Sequence, residues 1–386
     1  MIGGTEKYLR TLIPALAHRG HKLGLVHGDV PQEGDDTLDP GGYCVRWPFA
    51  QLGLDRTLAE VKAWAPDLLF AHGLVSPVLE CELLRRYTSI FYAHGYYGTC
   101  ATGSKVHSFP FIRPCERRLG PMCLLLHMPL RCGGLNPLTA LRDYQVQMKR
   151  SHFLQLHASV LVANSHMKEE FVRNGVKPEK VFTLPLPIDE ASSKPHYRSF
   201  ESRPLSGRIL FMGRLTKLKG VGCLFPALEM AQKRLGFQLH LTVAGSGPED
   251  VRLREAATRL PFTVDFAGWV DRKGQEALFE ISDLLVVPSL WPEPFGLVGL
   301  EAAAFGVPAV AFNVGGISSW LESGSNGELA PGNPPTAEGL SDAIERALSD
   351  PDHHTALCKR AVQKALQFST NAHVEALQSI LMASVQ

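Results

Sequence analysis

The stretch PSLWPEPFGLVGLEAAAFGVPAV, Pro288 to Val310, decides the reading of this chain. Pro294 and Gly296 make a turn, and an apolar helical run begins near Leu297. Gly306 closes that run and Pro308 prevents its resumption. An apolar run of strand type stands on each side, DLLVVPS at 283–289 and PAVAFNV at 308–314. Strand, glycine-bearing turn, helix, strand is the βαβ unit of a parallel sheet. Two carboxylates, Glu293 and Glu301, interrupt this apolar segment with seven residues between them. They are either a solvated helix face or a site for a ligand rich in hydroxyl groups.

The same alternation extends in both directions. In the first half the strand-like runs are KLGLVHG (22–28), DLLFAHG (67–73), SIFYAHG (89–95), SVLVANS (159–165) and KVFTLPL (180–186). In the second half RILFMGR (208–214), LHLTVAG (239–245) and FTVDFAG (262–268) precede the two already named. Helical patterns lie between them at 219–235, 273–280 and 337–348, and 354–382 reads as one long helix. Near-continuous apolar strands separated by helices indicate parallel sheets covered on both faces. Two such series indicate an α/β protein of two doubly wound, Rossmann-like domains. The boundaries read as 1–190 and 205–355, with 356–386 returning as a helix onto the first domain. The joint is the polar PIDEASSKPHYRSFESRPLSGR, 187–208. Ligands of such folds bind beyond the carboxyl ends of the strands, so the expected site is a cleft where the two domains face each other. The chain opens on Gly3-Gly4 and a helix from about Thr5 to His18, where a doubly wound domain usually opens with a strand. The expectation is a first domain whose first strand is missing, in a shortened reading frame.

Composition narrows the class. The 386 residues are 45% hydrophobic and 20% charged, with a formal net charge of +1. A nucleic-acid-binding protein usually carries a strong basic excess, so none is expected as a partner. No run of about 18 apolar residues exists, and the N-terminus lacks the apolar core of a signal peptide. Eight cysteines in a chain this long do not make a disulfide scaffold, which points to a reduced, cytoplasmic setting.

The residues that carry chemistry cluster in the second half. The backbone N–H groups of Phe295, Gly296 and Leu297 are free at a helix start, which suits an anion. Helical side chains lean toward the N-terminus, so the Glu301 carboxylate reaches back toward the same place, and Glu293 approaches from the loop. Carboxylates repel phosphate but accept hydrogen bonds from hydroxyls, so the arrangement brackets a phosphate-linked sugar. In FMGRLTKLKG, 211–220, Arg214 and Lys219 flank a strand-to-helix turn and can converge on a phosphate. Taken singly, each has an ordinary alternative: Glu293 as an exposed loop residue, Glu301 as a half-buried helix residue in a salt bridge, and Arg214 with Lys219 as a solvated basic loop; it is the full arrangement that points to a ligand.

These residues, in this order, resemble the retaining glycosyltransferases of family 4, which have the GT-B fold. The resemblance rests on Gly3-Gly4 with Glu6, then GRLTKLKG, AGSGPE, FAGWV and SLWPEPFGLVGLEAAAFGVPAVAFNVGG. It is dense over 207–332 and thinner over 1–190. It implies a hexosyltransferase moving a sugar from a nucleotide-diphosphate sugar to a glycan or lipid-linked acceptor, in cell-surface polysaccharide synthesis. Arg214 and Lys219 then neutralise the donor diphosphate, and Glu301 holds the ribose hydroxyls. Glu293 contacts the transferred sugar, helped by the N–H groups of Phe295 to Leu297. Gly3 and Gly4 approach the phosphates from the first domain, and His94 lies near the donor sugar, with His72 similar in pattern. No cofactor is required beyond the donor itself. Two alternatives remain open at this point: a nucleotide-sugar 2-epimerase of the same fold, and a two-domain sugar-binding protein without catalysis.

Residues 95–150 are not a plain βα unit. They hold Cys100, Cys115, Cys123 and Cys132 with His107 and His127. Metal ligation, a disulfide and free thiols are all open readings, and no C-x2-C pair is present. The same segment carries Arg113, Arg117, Arg118 and Arg131 beside MCLLLHMPL, a combination suited either to an anionic membrane surface or to an apolar loop turned to the core.

Overall fold

A computed structural model describes residues 4–28, 41–73, 76–188 and 205–385. The first elements are helix α1 (Gly4–Ala17), strands β1 (Leu23–His27) and β2 (Cys44–Pro48), and helix α2 (Phe49–Trp64). Next come β3 (Leu69–Ala71), α3 (Pro77–Leu84), β4 (Ser89–Ala93), β5 (Val106–His107) and β6 (Arg113–Pro114). They are followed by α4 (Met122–His127), α5 (Pro137–Leu156), β7 (Ser159–Val162), α6 (Ser165–Arg173) and β8 (Val181–Thr183). The second half holds β9 (Arg208–Met212), α7 (Val221–Leu235), β10 (His240–Ala244), α8 (Asp250–Ala257) and β11 (Thr263–Gly268). It continues with α9 (Arg272–Ile281), β12 (Leu284–Val287), α10 (Leu297–Ala304), β13 (Ala309–Phe312) and β14 (Gly327–Ala330). Helices α11 (Ala337–Leu348), α12 (Pro351–Leu366) and α13 (Thr370–Val385) close the chain.

The chain divides into two compact units. One comprises residues 1–105, 116–187 and 370–386; the other comprises 106–115 and 188–369. In the first unit β3, β4, β7 and β8 form a parallel sheet in that order, and β1 pairs with β2 in parallel. All of β4 and β7 are buried, so helices cover both faces. Trp47, Leu58, Val61, Leu79 and Leu83 form a separate apolar cluster around the β2–α2 corner. The insert is tied down by a buried ion pair, Lys105 Nζ to Glu170 Oε2 at 2.6 Å, and Glu170 also meets Arg173.

In the second unit six strands run parallel in the order β11-β10-β9-β12-β13-β14. The chain enters at β9, builds outward through β10 and β11, then returns to the other side of β9 with β12. The sheet therefore reverses its winding between β9 and β12. Ligands of doubly wound sheets collect in the crevice beyond the carboxyl ends of such a pair of strands. Here those ends lead into 213–220 and 288–296, the two stretches singled out from the sequence.

All ten strand-like runs became strands, with ends shifted by up to three residues. Strand β14 was not anticipated, because GISSWLESGSNGELAP reads as helix and turn; the structure holds one 3-10 turn there, Ile317–Ser319, followed by the strand. The expected long helix 354–382 is two helices, broken at 367–369. The Phe368 carbonyl leaves the helical ladder to accept from Ile188 N–H at 2.8 Å. No helix among the described residues is long and apolar enough to cross a membrane.

Candidate active site

The crevice of the second unit is assembled by backbone contacts that tolerate only glycine. Gly220 caps α7 at φ +73°, and a Cβ there would stand 1.8 Å from the Pro288 carbonyl oxygen. Leu290 N–H donates to Leu218 O at 2.8 Å across the same seam. The turn after β9 is thereby locked to the turn after β12. Gly315, at φ +57°, lies against the next loop, where a Cβ would fall 2.4 Å from Glu293 O. Gly316 N–H donates to that same oxygen at 2.7 Å. The backbone of Glu293 is thus fixed by the loop after β13. In AGSGPE, Gly245 and Gly247 pack on the Gly213 and Leu215 carbonyls, which fixes the turn holding Arg214 from below.

Within this frame Glu293 is 4% exposed. Its Oε1 accepts from Lys219 Nζ at 2.5 Å and from Ser289 Oγ at 2.5 Å. Its Oε2 has no partner among the described residues. Lys219 also sits 5.6 Å from the Trp291 ring centroid, within cation–π range. The expected phosphate-binding lysine and the expected sugar-binding glutamate are therefore in direct contact. Ser289, which sequence reasoning did not weigh, completes the group. Arg214 is exposed, and its guanidinium has no hydrogen-bond or ion-pair partner among the described residues.

Helix α10 begins where its sequence predicts. Gly296 sits before it at φ +82°, where a Cβ would meet Ile317 Cδ1 at 2.7 Å. The Phe295 carbonyl accepts from Trp320 Nε1 at 2.6 Å, and the amides of Phe295, Gly296 and Leu297 have no acceptor among the described residues. Glu301 lies in the second turn, buried, with Oε2 accepting from Gln275 Nε2 of α9 at 2.7 Å. The arrangement offers an anion two cations and a helix start, and offers hydroxyl groups two carboxylates.

The first unit holds a different group. His94 follows β4, and its Nε2 lies 3.0 Å from His72 Nδ1, beyond the end of β3. Both rings pack on Tyr8 of α1 and Tyr92 of β4. Tyr8 Oη meets His373 Nε2 at 2.9 Å, and His373 Nδ1 meets the Pro185 carbonyl at 2.7 Å. The carbonyl can only accept, so the His373 proton is on Nδ1 and Tyr8 is the donor to Nε2. Burial, reinforced by its neighbour His94, holds His72 well below the usual histidine range. Burial first and His373 second bring His94 down to about 4, and burial brings His373 to about 4. All three imidazoles are neutral at neutral pH. Tyr8 and His373 stand 365 residues apart, and no local pattern could have joined them. Gly4 opens α1, while Gly3 lies outside the described residues.

The four cysteines of the insert are not gathered. Cys123 and Cys132 each face a backbone carbonyl, Cys100 faces Thr102, and Cys115 belongs to the other unit. Among the described residues no three His, Cys, Asp or Glu side chains form a group able to hold a metal ion.

Two family models match this chain: Glycosyl transferases group 1 over residues 198–365 and Glycosyltransferase Family 4 over residues 2–192. A glycogen synthase of Mycobacterium tuberculosis is 35% identical over 366 residues, covering 91% of this chain and 84% of its own. A D-inositol 3-phosphate glycosyltransferase of Paenarthrobacter aurescens is 29% identical over 371 residues, covering 90% and 85%. Among solved structures, sucrose-phosphate synthase of Thermosynechococcus elongatus superposes with a TM-score of 0.74 at 21% identity, covering 99% of this chain and 93% of its own. Anabaena HepE in complex with UDP-glucose gives 0.68 at 19% identity, covering 99% and 97%. The fold is that of the GT-B glycosyltransferases, with two Rossmann-like domains. The glycine-locked crevice between β9 and β12, the paired lysine and glutamate within it and these matches agree: the chain belongs to the group 1 glycosyl transferases and is a glycosyltransferase.

Proposed function

We propose that this enzyme transfers a hexose, with retention of anomeric configuration, from a nucleotide-diphosphate sugar to a glycan or lipid-linked acceptor in cell-surface polysaccharide synthesis. The observation that carries the reading is the Lys219–Glu293 contact at 2.5 Å beside the unpartnered amides of Phe295 to Leu297. Arg214 and Lys219 take the diphosphate, which gains negative charge as it leaves. The helix start shares that charge. Glu301 holds the ribose hydroxyls, and Glu293 faces the sugar, where positive charge builds. His94 and Gly3-Gly4 serve the donor from the first unit.

In this scheme the bond from the anomeric carbon to the phosphate oxygen breaks, and the acceptor oxygen bonds to that carbon on the same face. The acceptor hydroxyl proton passes to the departing phosphate. The cationic side chains do the work a metal clamp would do, so the scheme calls for no cofactor. The reading extends to a cytoplasmic setting, in keeping with eight cysteines none of which joins a disulfide. The HepE neighbours were solved with UDP-glucose and with UDP, which makes a uridine donor the first to try.

The test is thermal shift with a panel of UDP-, GDP- and ADP-sugars, followed by turnover of the sugar that stabilises most. An anomeric proton coupling in the product matching that of the donor supports retention. Stabilisation by no nucleotide sugar, or inversion at the anomeric carbon, overturns the reading.

A further inference from the structure

His72 and His94 follow neighbouring parallel strands, β3 and β4, and their rings meet nitrogen to nitrogen, His72 Nδ1 to His94 Nε2 at 3.0 Å. Such a contact needs one proton between two lone pairs. Burial holds both imidazoles below the usual histidine range, so at neutral pH each is neutral and carries a single N–H. The two tautomers are therefore coupled. If His94 donates from Nε2, both rings carry their proton on Nε2; if His72 donates from Nδ1, both carry it on Nδ1. The first arrangement is the one histidine prefers by itself, since the Nε2–H tautomer is the more stable of the two in water. Nothing among the described residues opposes it: neither His94 Nδ1 nor His72 Nε2 has a hydrogen-bond partner there.

Aromatic neighbours hold both rings in this pairing. Phe70 stands edge-on to His72 with centroids 4.4 Å apart, Tyr92 lies 5.0 Å from the His94 ring, and Tyr8 packs on both. The two tyrosines are themselves anchored at their hydroxyls. Tyr92 Oη donates to the Leu184 carbonyl at 2.6 Å, and Tyr8 Oη donates to His373, which the Pro185 carbonyl fixes in turn. Helix α1, the turn after β8 and helix α13 thus all serve two imidazoles. Packing alone does not call for histidine at either place, because phenylalanine would fill the same space. His94 also stays half-buried at the carboxyl end of β4, the end of a parallel sheet where ligands collect.

We infer that His72 is a positioning residue for His94: it holds the His94 proton on Nε2, so that Nδ1 offers a lone pair to a hydroxyl group of the sugar substrate. The inference rests on the reading that His94 serves the donor, and it narrows that service. A phosphate oxygen can only accept, so it is repelled by a lone pair, whereas a hydroxyl donates to one. His94 therefore recognises the sugar and leaves the diphosphate to Arg214 and Lys219. Without His72 the His94 proton is free to occupy either nitrogen, and the hydroxyl meets a mixture of donor and acceptor.

The test is nitrogen NMR of the full chain with isotopically labelled histidine, in which proton-bearing and lone-pair ring nitrogens resonate far apart. The His94 signals are identified by their loss in His94→Asn. In the parent, His94 Nε2 should be of the proton-bearing type and Nδ1 of the lone-pair type. His72→Phe keeps a ring in place but removes the partner, and should turn the His94 pattern into a mixture. His72→Asn sets an amide oxygen near the position of Nδ1 and should restore it. Transfer should follow the spectrum: His72→Phe lowers turnover by the worth of one hydrogen bond, roughly 2- to 12-fold, and His72→Asn returns it to within about twofold of the parent. UDP carries no sugar, so its binding should match the parent in both His72 variants. A parent His94 with its proton on Nδ1, or an unchanged pattern in His72→Phe, overturns the inference. The parent spectrum decides the place of the proton even if His72→Phe fails to fold. Turnover no better in His72→Asn than in His72→Phe, with both folded, assigns His72 to packing and overturns it as well. Full transfer by His94→Asn, with the parent spectrum as expected, overturns the assignment of His94 to the donor and with it the hydroxyl contact, while the pairing of the two histidines stands.

Discussion

The Lys219–Glu293 pair permits a prediction in which two readouts of one variant move in opposite directions. Glu293 is buried and Lys219 is 29% exposed at its side chain, so the pair lies between the surface and interior cases. Breaking a fully buried pair costs about 3–5 kcal/mol, whereas exposed pairs contribute about 0–1. With the ammonium partly in water, Lys219→Met should cost about 1–3 kcal/mol, because the carboxylate keeps only Ser289. Glu293→Gln retains an oxygen for both donors and should cost about 1 kcal/mol, the difference between a charged and a neutral hydrogen bond. The double variant should cost less than the sum, with a coupling of about 1–2 kcal/mol. Urea unfolding followed by tryptophan fluorescence measures the cycle. Glu293→Gln also releases Lys219 for an anion, so UDP should bind this variant at least as tightly as the parent in calorimetry, while sugar transfer slows. Costs that add to within about 0.5 kcal/mol would show that the two side chains do not work as a pair. UDP binding weakened about tenfold in Glu293→Gln would show that the glutamate serves the nucleotide.

Two further outcomes are expected. Gly315→Ala puts a Cβ 2.4 Å from Glu293 O at a positive φ, so it should destabilise the second unit by at least about 2 kcal/mol and lower turnover, measured by urea unfolding and donor consumption. His94 and His373, held neutral by burial with pKa values of about 4, favour the fold fully above the unfolded histidine pKa near 6.5, and that contribution falls away as pH drops toward 4. The melting temperature should therefore fall between about pH 6.5 and 4, and the slope should flatten in His94→Asn with His373→Gln; an unchanged slope would show that these imidazoles are not held neutral.

The centre of the second unit's sheet was legible because β12, β13 and most of β9 are buried on both faces and read as unbroken apolar runs; the edge strand β11 has no fully buried residue and was legible from its β-rich sequence alone. Strand β14 escaped because Gly327, Glu328 and Leu329 form no such run, and what pairs them is β13, outside their own segment. The end of α10 was legible from Gly306 and Pro308, which act locally. The break at 367–369 was not, because its cause is Ile188, far away in sequence. Arg214, Lys219, Glu293 and Glu301 were named from residue type and spacing, and the structure carries all four to one end of one sheet. Their partners were not legible. Lys219 reaches Glu293 across 74 positions and Gln275 reaches Glu301 across 26, distances at which sequence periodicity carries no signal.

The central claim is that the two glutamates serve different parts of one donor, and steady-state kinetics of Glu293→Gln and Glu301→Gln test it most directly. The ribose hydroxyls do not change during transfer, so loss of Glu301 weakens ground state and transition state alike. Donor KM should rise about 10-fold or more with kcat little altered. Positive charge builds at the sugar only as the diphosphate leaves, so Glu293→Gln should lower kcat with donor KM little altered. Circular dichroism must show both variants folded. If both leave transfer within about twofold of the parent, an effect smaller than one hydrogen bond, the carboxylates are a solvated face and the assignment of this crevice is wrong.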